Sequence, residues 1–120
     1  MNNKKIMIIG GTGALGKSLT DRWCATNEIL IFSRNEHKQE DMKRDYPGCL
    51  YRIGDVKDKG SILRNMYEFK PDVIVNTAAL KTVWVAQDNP YETILTNIVG
   101  HQYLIDCVRE CTHKIETLIF

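Results

Sequence analysis

The sequence has no excess of either charge and no long run of apolar residues. Sixteen lysines and arginines stand against fifteen aspartates and glutamates, which leaves a formal net charge of +1. A balance this even gives no broad electrostatic attraction to nucleic acid or to an anionic membrane surface. No stretch approaches the roughly 20 apolar residues that cross a bilayer, and the first residues, MNNKK, lack the apolar region of a secretory signal. We therefore predict neither a nucleic-acid partner nor a membrane partner.

The sequence also lacks cysteines at the spacing of metal ligands. The four cysteines form no C-x-x-C pair, and the three histidines are scattered. We therefore predict no metal site, and we expect unpaired thiols in a reducing compartment, which indicates the cytoplasm. The four are Cys24, Cys49, Cys107 and Cys111.

The chain has no internal repeat and no linker, and its 120 residues suit about one domain. Short apolar runs alternate with amphipathic stretches. We predict strands at 5–10, 28–33, 49–55, 72–79 and 115–120, separated by helices at 14–27, 35–46, 59–69 and 89–111. This alternation predicts an α/β fold of the Rossmann type, a parallel sheet with helices on both faces. The predicted strand order is 3-2-1-4-5, with a ligand crevice at the carboxyl ends of strands 1 and 4.

Two helices carry more detailed predictions. In the first helix, the apolar spacing predicts that Leu15, Leu19 and Trp23 face inward. In the last helix, Asn89 is the expected N-cap, since Pro90 then takes the first helical position that proline favours.

The stretch IMIIGGTGALGKSLT, residues 6–20, matches two phosphate-binding patterns at once. Gly11, Gly13 and Gly16 satisfy the dinucleotide fingerprint G-x-G-x-x-G, and starting from Gly10 gives the related G-x-x-G-x-x-G. The run from Gly11 to Ser18 also satisfies the triphosphatase loop G-x-x-x-x-G-K-[ST]. Both patterns follow a strand, open a helix and hold phosphate with backbone N–H groups. One predicts NAD(P) and the other predicts ATP.

The ends of the other strands favour the dinucleotide. A triphosphatase needs an aspartate that orders magnesium after another apolar strand, but the run DVIVN ends in Asn76. A carboxylate after strand 2 would select NAD by binding the ribose hydroxyl, and the chain has Ser33 and Arg34 there. A guanidinium can bind a 2′-phosphate through two parallel hydrogen bonds. The sequence therefore predicts NADP, and ATP remains the alternative.

The ends of strands 3 and 4 suit the same coenzyme. Asp55 closes strand 3, where a carboxylate can accept a hydrogen bond from the adenine amino group. The segment 76–79, NTAA, closes strand 4, and its small side chains allow a flat coenzyme to lie against the backbone.

Five stretches of the chain resemble a known group of enzymes. They are GGTGALGKS, FSRNEHKQ, YRIGDVKD, DVIVNTAALKTV and NPYETILTNIVG, and they spread over nearly the whole sequence. They resemble the extended short-chain dehydrogenase/reductases and, within these, the nucleotide-sugar 4,6-dehydratases of polysaccharide biosynthesis. Among these, the stretches resemble the inverting UDP-N-acetylglucosamine 4,6-dehydratases.

This resemblance implies a set of residues that bind the coenzyme. The pyrophosphate would be held by Gly10, Thr12, Gly13, Ala14, Leu15 and Gly16. The 2′-phosphate would be held by Ser33, Arg34 and Lys38, and adenine would lie between Asp55 and Val56. The ribose and nicotinamide side would be lined by Ala78, Ala79 and Lys81, with Asn97 supporting the site from the last helix.

The chain also departs from the family at several positions. Ile9, Thr82 and Trp84 stand where relatives usually have Thr, His and Pro, which weakens predictions about substrate contacts near residues 80–86. The family's reaction uses a Tyr-x-x-x-Lys pair after strand 5, and none of the five tyrosines has a lysine four residues later.

We therefore expect residues 1–120 to form an incomplete NAD(P)-binding domain that stops within strand 5, without catalytic residues and without a substrate domain. The resemblance implies the NADP-binding portion of a nucleotide-sugar dehydratase or epimerase that acts on a UDP-GlcNAc-like substrate in polysaccharide biosynthesis. A complementing chain or a homo-oligomer would then complete the site. The alternative is a non-catalytic NADP-binding or interaction module.

Overall fold

The computed structural model describes residues 1–78, 88 and 90–119. The strands are β1 Lys5–Ile9, β2 Glu28–Ser33, β3 Leu50–Ile53, β4 Val73–Asn76 and β5 Thr117–Ile119. The helices are α1 Ala14–Trp23, α2 Glu36–Asp45, α3 Lys59–Phe69, α4 Pro90–Ile94 and α5 Gly100–Glu110. A π-helical turn, Leu95–Val99, joins α4 to α5. No helix in this described part of the chain has the length and apolar character needed to cross a bilayer.

The five strands form one parallel sheet in the order β3-β2-β1-β4-β5, which confirms the predicted fold. In the centre of the sheet, Ile8 is level with Ile31 on one side and with Val75 on the other. Since neighbouring strands run in the same direction, their carboxyl ends meet at one edge. The chain changes direction across the sheet between β1 and β4, and this is where α/β sheets of this kind open a ligand crevice.

The apolar residues of the strands are divided between two cores, one on each face of the sheet. Successive side chains in a strand point to opposite faces, so Met7 and Ile9 contact one core while Ile6 and Ile8 contact the other. The first core also contains residues of α3 and α5, among them Ile62, Met66, Leu104 and Cys107. The second core contains Met42 of α2, and the partly buried side chains of Leu19 and Trp23 of α1 pack against it. Helices on both faces explain why β1, β2 and β4 are apolar almost without interruption.

The prediction that Leu15 faces inward is wrong, since its side chain is 52% exposed. The buried positions of α1 are Gly16 and Thr20. A Cβ atom on Gly16 would lie 2.4 Å from Gly11, so the helix approaches the loop after β1 too closely for any side chain there. Leu15 precedes Gly16 by one residue and therefore points away from this contact.

Helix boundaries account for the remaining differences from the predicted elements. Helix α1 ends at Trp23, not at residue 27, because the Asn27 side chain donates to the Trp23 carbonyl at 3.0 Å. The single helix predicted for 89–111 is divided by the π-helical turn. Pro90 does begin α4, while the expected N-cap, Asn89, lies outside the described residues.

Candidate functional site

A crevice of about 670 Å³ opens at the carboxyl edge of the sheet. It is lined by the ends of β1, β2, β3 and β4 and by the first turn of α2. Nine of the residues that the sequence and the resemblance singled out lie in its wall. They are Gly10, Thr12, Gly13, Ser33, Arg34, Lys38, Asp55, Val56 and Ala78.

The floor of the crevice is a close approach of the segments that follow β1 and β4. Gly10 has φ +76°, and a Cβ atom there would lie 2.7 Å from the Ala78 nitrogen. The Thr77 hydroxyl lies 2.8 and 2.9 Å from the carbonyl oxygens of Ile9 and Gly10, and its single hydrogen is shared between these two acceptors. These contacts hold two bare backbone segments side by side, and a flat ligand can lie against them.

Helix α1 begins at this floor without a side-chain cap and without an acidic residue in its first turn. Its N-cap is Gly13. The first N–H groups of a helix have no partner within the helix, and the helix dipole attracts negative charge there. Ala14 and Leu15 are exposed in that first turn, and Gly16 is buried against Gly11. This arrangement suits a phosphate group.

The wall at the end of β2 carries most of the charge of the crevice. Ser33 is buried, whereas the Arg34 side chain is 55% exposed and Lys38 is also exposed. Glu36 lies in the same wall and was missed by the sequence analysis. Asn35 caps α2, since its side-chain oxygen accepts from the Lys38 N–H at 3.0 Å. Two cations and one carboxylate therefore share the mouth of the crevice.

Asp55, at the end of β3, lies between two cations. Its Oδ2 is 3.8 Å from Arg34 Nη1 and 3.4 Å from Lys57 Nζ, and its Oδ1 accepts from the Lys57 N–H. Lys57 in turn donates to both carboxylate oxygens of Glu92 at 2.8 and 2.7 Å, and this hydrogen bond raises the pKa of Lys57. The chain of charges connects the crevice wall to α4. The neighbouring Val56 is buried in the core that contains α3 and α5.

A second residue that the sequence analysis missed lies behind the wall. Gln39 is 3% exposed, and its Nε2 donates to Ser33 Oγ and to the Arg52 carbonyl, both at 2.8 Å. One feature of the sequence could have predicted its burial. Met42 is the single aliphatic residue in the run 36–45 and therefore marks the inward face of the helix. Gln39 lies three positions earlier, on the same face.

The other predicted residues either lie outside the described part of the chain or are not among the described residues of this wall. Ala79 and Lys81 lie outside the described residues, as do Thr82 and Trp84. Asn97 is half-buried in the π-helical turn and is not among the described residues that line the crevice. Lys17 and Ser18, which completed the triphosphatase pattern, are exposed on α1 away from the described wall.

Comparison with known protein families gives one match over most of the chain. The family model described as "Polysaccharide biosynthesis protein" matches residues 6–120. The chain is 41% identical over 114 residues to UDP-N-acetylglucosamine 4,6-dehydratase (inverting) of Campylobacter jejuni, covering 91% of the chain and 34% of that protein. It is 37% identical over 111 residues to UDP-glucose 4-epimerase of Rickettsia felis, covering 86% of the chain and 32% of that protein. The chain thus spans about a third of the length of these curated relatives.

Solved structures show the same architecture. Pen from Bacillus thuringiensis superposes with a TM-score of 0.83 at 32% identity, over 89% of the chain and 34% of Pen. WbmG of Bordetella bronchiseptica, solved in complex with NAD, superposes with a TM-score of 0.79 at 26% identity, over 91% of the chain and 34% of WbmG.

Proposed function

The chain belongs to the polysaccharide biosynthesis protein family, and on that premise we propose that it forms the coenzyme-binding part of a nucleotide-sugar dehydratase or epimerase. The curated relatives carry both activities in their names and are about three times as long. The proposed reaction is therefore that of a whole enzyme. A 4,6-dehydratase acting on UDP-N-acetylglucosamine is favoured, because the identity to that relative is 41% against 37% for the epimerase.

The proposed coenzyme is a nicotinamide dinucleotide, and the residues of the crevice fit it. The uncapped N-terminus of α1 would receive the pyrophosphate, and the bare backbone at Gly10 and Ala78 would receive the flat part of the molecule. Such a coenzyme supplies a site that accepts a hydride and returns it. A relative in the same family of folds, WbmG, is solved with NAD and with UDP.

The four cysteines are free thiols, which supports a reducing location such as the cytoplasm.

NADP is the proposed form of the coenzyme. The observation that carries this proposal is Arg34 at the end of β2, where its guanidinium faces the crevice mouth with Lys38 nearby. A carboxylate at this point would pair with a ribose hydroxyl and would repel a 2′-phosphate. Asp55 lies 3.8 Å from the same guanidinium and supports its position in the wall.

Charge reversal at Arg34 tests the proposal. In Arg34→Glu, we expect NADPH affinity to fall by about tenfold to a hundredfold, because a charge-assisted contact is worth roughly 1.5–3 kcal/mol. NADH affinity should change much less. The measurement is a fluorescence titration of the full chain with each reduced coenzyme.

Arg44→Glu is the matched control, since Arg44 is exposed in the last turn of α2 and its ion pair with Asp41 is 4.0 Å long. This variant should bind NADPH like the wild type. Unchanged NADPH affinity in Arg34→Glu would contradict the proposal, and so would tighter binding of magnesium ATP than of NADPH by the wild type.

A further inference from the structure

Gln39 is a buried amide behind the wall of the crevice. It lies on the inward face of α2 with Met42, and its side chain is among the most enclosed polar groups of the described residues. Its Nε2 donates to Ser33 Oγ at 2.8 Å and to the Arg52 carbonyl at 2.8 Å, and it lies 3.4 Å from the Ser33 carbonyl. The amide therefore connects α2 to the ends of β2 and β3.

The orientation of this amide is fixed by chemistry. The Arg52 carbonyl can only accept hydrogen bonds, so Gln39 must turn its NH₂ group, and not its carbonyl oxygen, toward β3. The same NH₂ group then donates its second hydrogen to Ser33 Oγ. Ser33 must accept this bond, and its own hydroxyl hydrogen has no acceptor among the described residues. Because Ser33 lines the crevice, that hydrogen is free to be donated to a ligand there.

We propose that Gln39 is a positioning residue that keeps the Ser33 hydroxyl as a hydrogen-bond donor toward the 2′-phosphate of the coenzyme. The proposal rests on the proposed NADP site and extends it to the layer of residues behind the wall. A phosphate oxygen accepts hydrogen bonds, whereas a ribose hydroxyl both donates and accepts. A hydrogen bond donated to a charged phosphate oxygen is about twice as strong as one donated to a neutral hydroxyl. A serine held as a donor therefore favours the phosphate, and Gln39 contributes to this preference without touching the coenzyme.

Two single variants and their combination test the coupling between the residues. Gln39→Met keeps a side chain of similar length and removes both hydrogen bonds. We expect it to reduce NADPH affinity about fivefold, the effect of one ordinary hydrogen bond. Ser33→Ala should give a similar loss, and the double variant should be no weaker than Ser33→Ala alone, because both changes remove the same contact. NADH affinity should change less than twofold in all three.

Asn65→Leu is the matched control. Asn65 is another buried amide, 7% exposed, which donates to the Ser61 carbonyl within α3 and is not part of the described crevice wall. Its variant should lose stability, as Gln39→Met does, and keep the wild-type ratio of NADPH to NADH affinity. A general loss of structure would lower both affinities together, so the ratio separates positioning from folding.

Each outcome has one meaning. If the wild type does not prefer NADPH to NADH, the proposed NADP site is wrong and the inference falls with it. If the wild type prefers NADPH and Ser33→Ala weakens that preference while Gln39→Met retains it, the NADP site stands and the inference is overturned. Should Gln39→Met fail to fold, Gln39→Asn replaces it, because it keeps an uncharged amide that is one methylene too short to hold the Ser33 hydroxyl in the same way. We expect a similar loss of NADPH affinity in that variant, and wild-type preference there overturns the inference.

Discussion

At the scale of single residues, Gly10 combines a left-handed backbone conformation with a close approach to neighbouring backbone. It is the one described glycine with a positive φ, +76°, and a Cβ atom there would meet backbone atoms of Thr77 and Ala78 at 2.7–3.0 Å. Backbone atoms that belong to β1 and β4 cannot move aside as a flexible side chain can. Any side chain at position 10 therefore combines backbone strain with a steric clash.

We expect Gly10→Ala to lower the free energy of unfolding by about 2 kcal/mol or more, as strained left-handed residues cost about 1–3 kcal/mol before any clash. Gly48→Ala is the control, because Gly48 has no atom within 4 Å of the Cβ position and no positive φ. That variant should lie within about 1 kcal/mol of the wild type and on the stabilising side. Urea unfolding curves measure both, and equal curves would contradict this account of Gly10.

The sequence identified those residues of the crevice wall that stand at the ends of strands. Gly10 and Arg34 follow directly after apolar strands and Ser33 ends one, and strand ends can be recognised from hydrophobic runs. Gln39 and Glu36 were missed because helix α2 has an almost wholly polar sequence, in which inward and outward positions look alike. Leu15 was misplaced because the close approach of Gly16 to Gly11 is a tertiary contact that apolar spacing does not reveal.

At the scale of elements, α2 and α3 begin in the same way. Asn35 accepts from the Lys38 N–H, and Asp58 accepts from the Ser61 N–H at 3.1 Å. The two caps differ in location, since Asn35 lines the crevice and Asp58 is not among the residues of its described wall. The start of α2 is thus positioned by a cap at the mouth of the site.

We expect Asn35→Ala and Asp58→Ala each to lower the free energy of unfolding by about 1 kcal/mol, the usual value of an N-cap. NADPH affinity should fall only in Asn35→Ala, because the first turn of α2 carries Lys38 and Glu36 into the crevice wall. Thermal unfolding and coenzyme titration of both variants give the comparison. Equal affinity losses would mean that the position of α2 has no special effect on binding.

The order and direction of the five strands could be predicted because strands alternate with helical segments along the chain, and the apolar runs of β1, β2 and β4 mark the buried centre of a parallel sheet. The π-helical turn at Leu95–Val99 could not, since its local sequence is compatible with a continuous helix. The contact of Lys57 with Glu92 could likewise not be predicted from the sequence, because it joins residues 35 positions apart.

At the scale of the whole molecule, one buried thiol lies on each face of the sheet. Cys49 belongs to the core that contains Met42, and Cys107 belongs to the core that contains Ile62. Burial raises the pKa of the Cys49 thiol to about 11 and that of the Cys107 thiol to about 11. Both cores therefore resist the ionisation of a thiol.

The raised pKa values of the two thiols predict that the free energy of unfolding decreases at alkaline pH. A thiol with a raised pKa in the folded state favours folding fully below its unfolded pKa, near 9, and loses that contribution as pH rises through about 11. Each thiol should contribute about 2 kcal/mol at most to the decline between pH 9 and pH 11. In a variant with Cys49→Ala and Cys107→Ala, the decline should be shallower, while lysine titration affects both proteins alike. Identical slopes of unfolding free energy against pH would contradict the expectation.

The position of β1 has a consequence for how the protein is made. Its neighbour β2 follows within 20 residues, but its other neighbour, β4, begins only at residue 73. At elongation rates of about 5–20 residues per second, the ribosome needs several seconds to deliver that second partner. During this time β2 is the only one of its two neighbours that β1 can pair with, so its other edge has no partner strand. Slower translation of residues 34–72 would prolong this exposure and should increase loss to misassembly before the protein is complete.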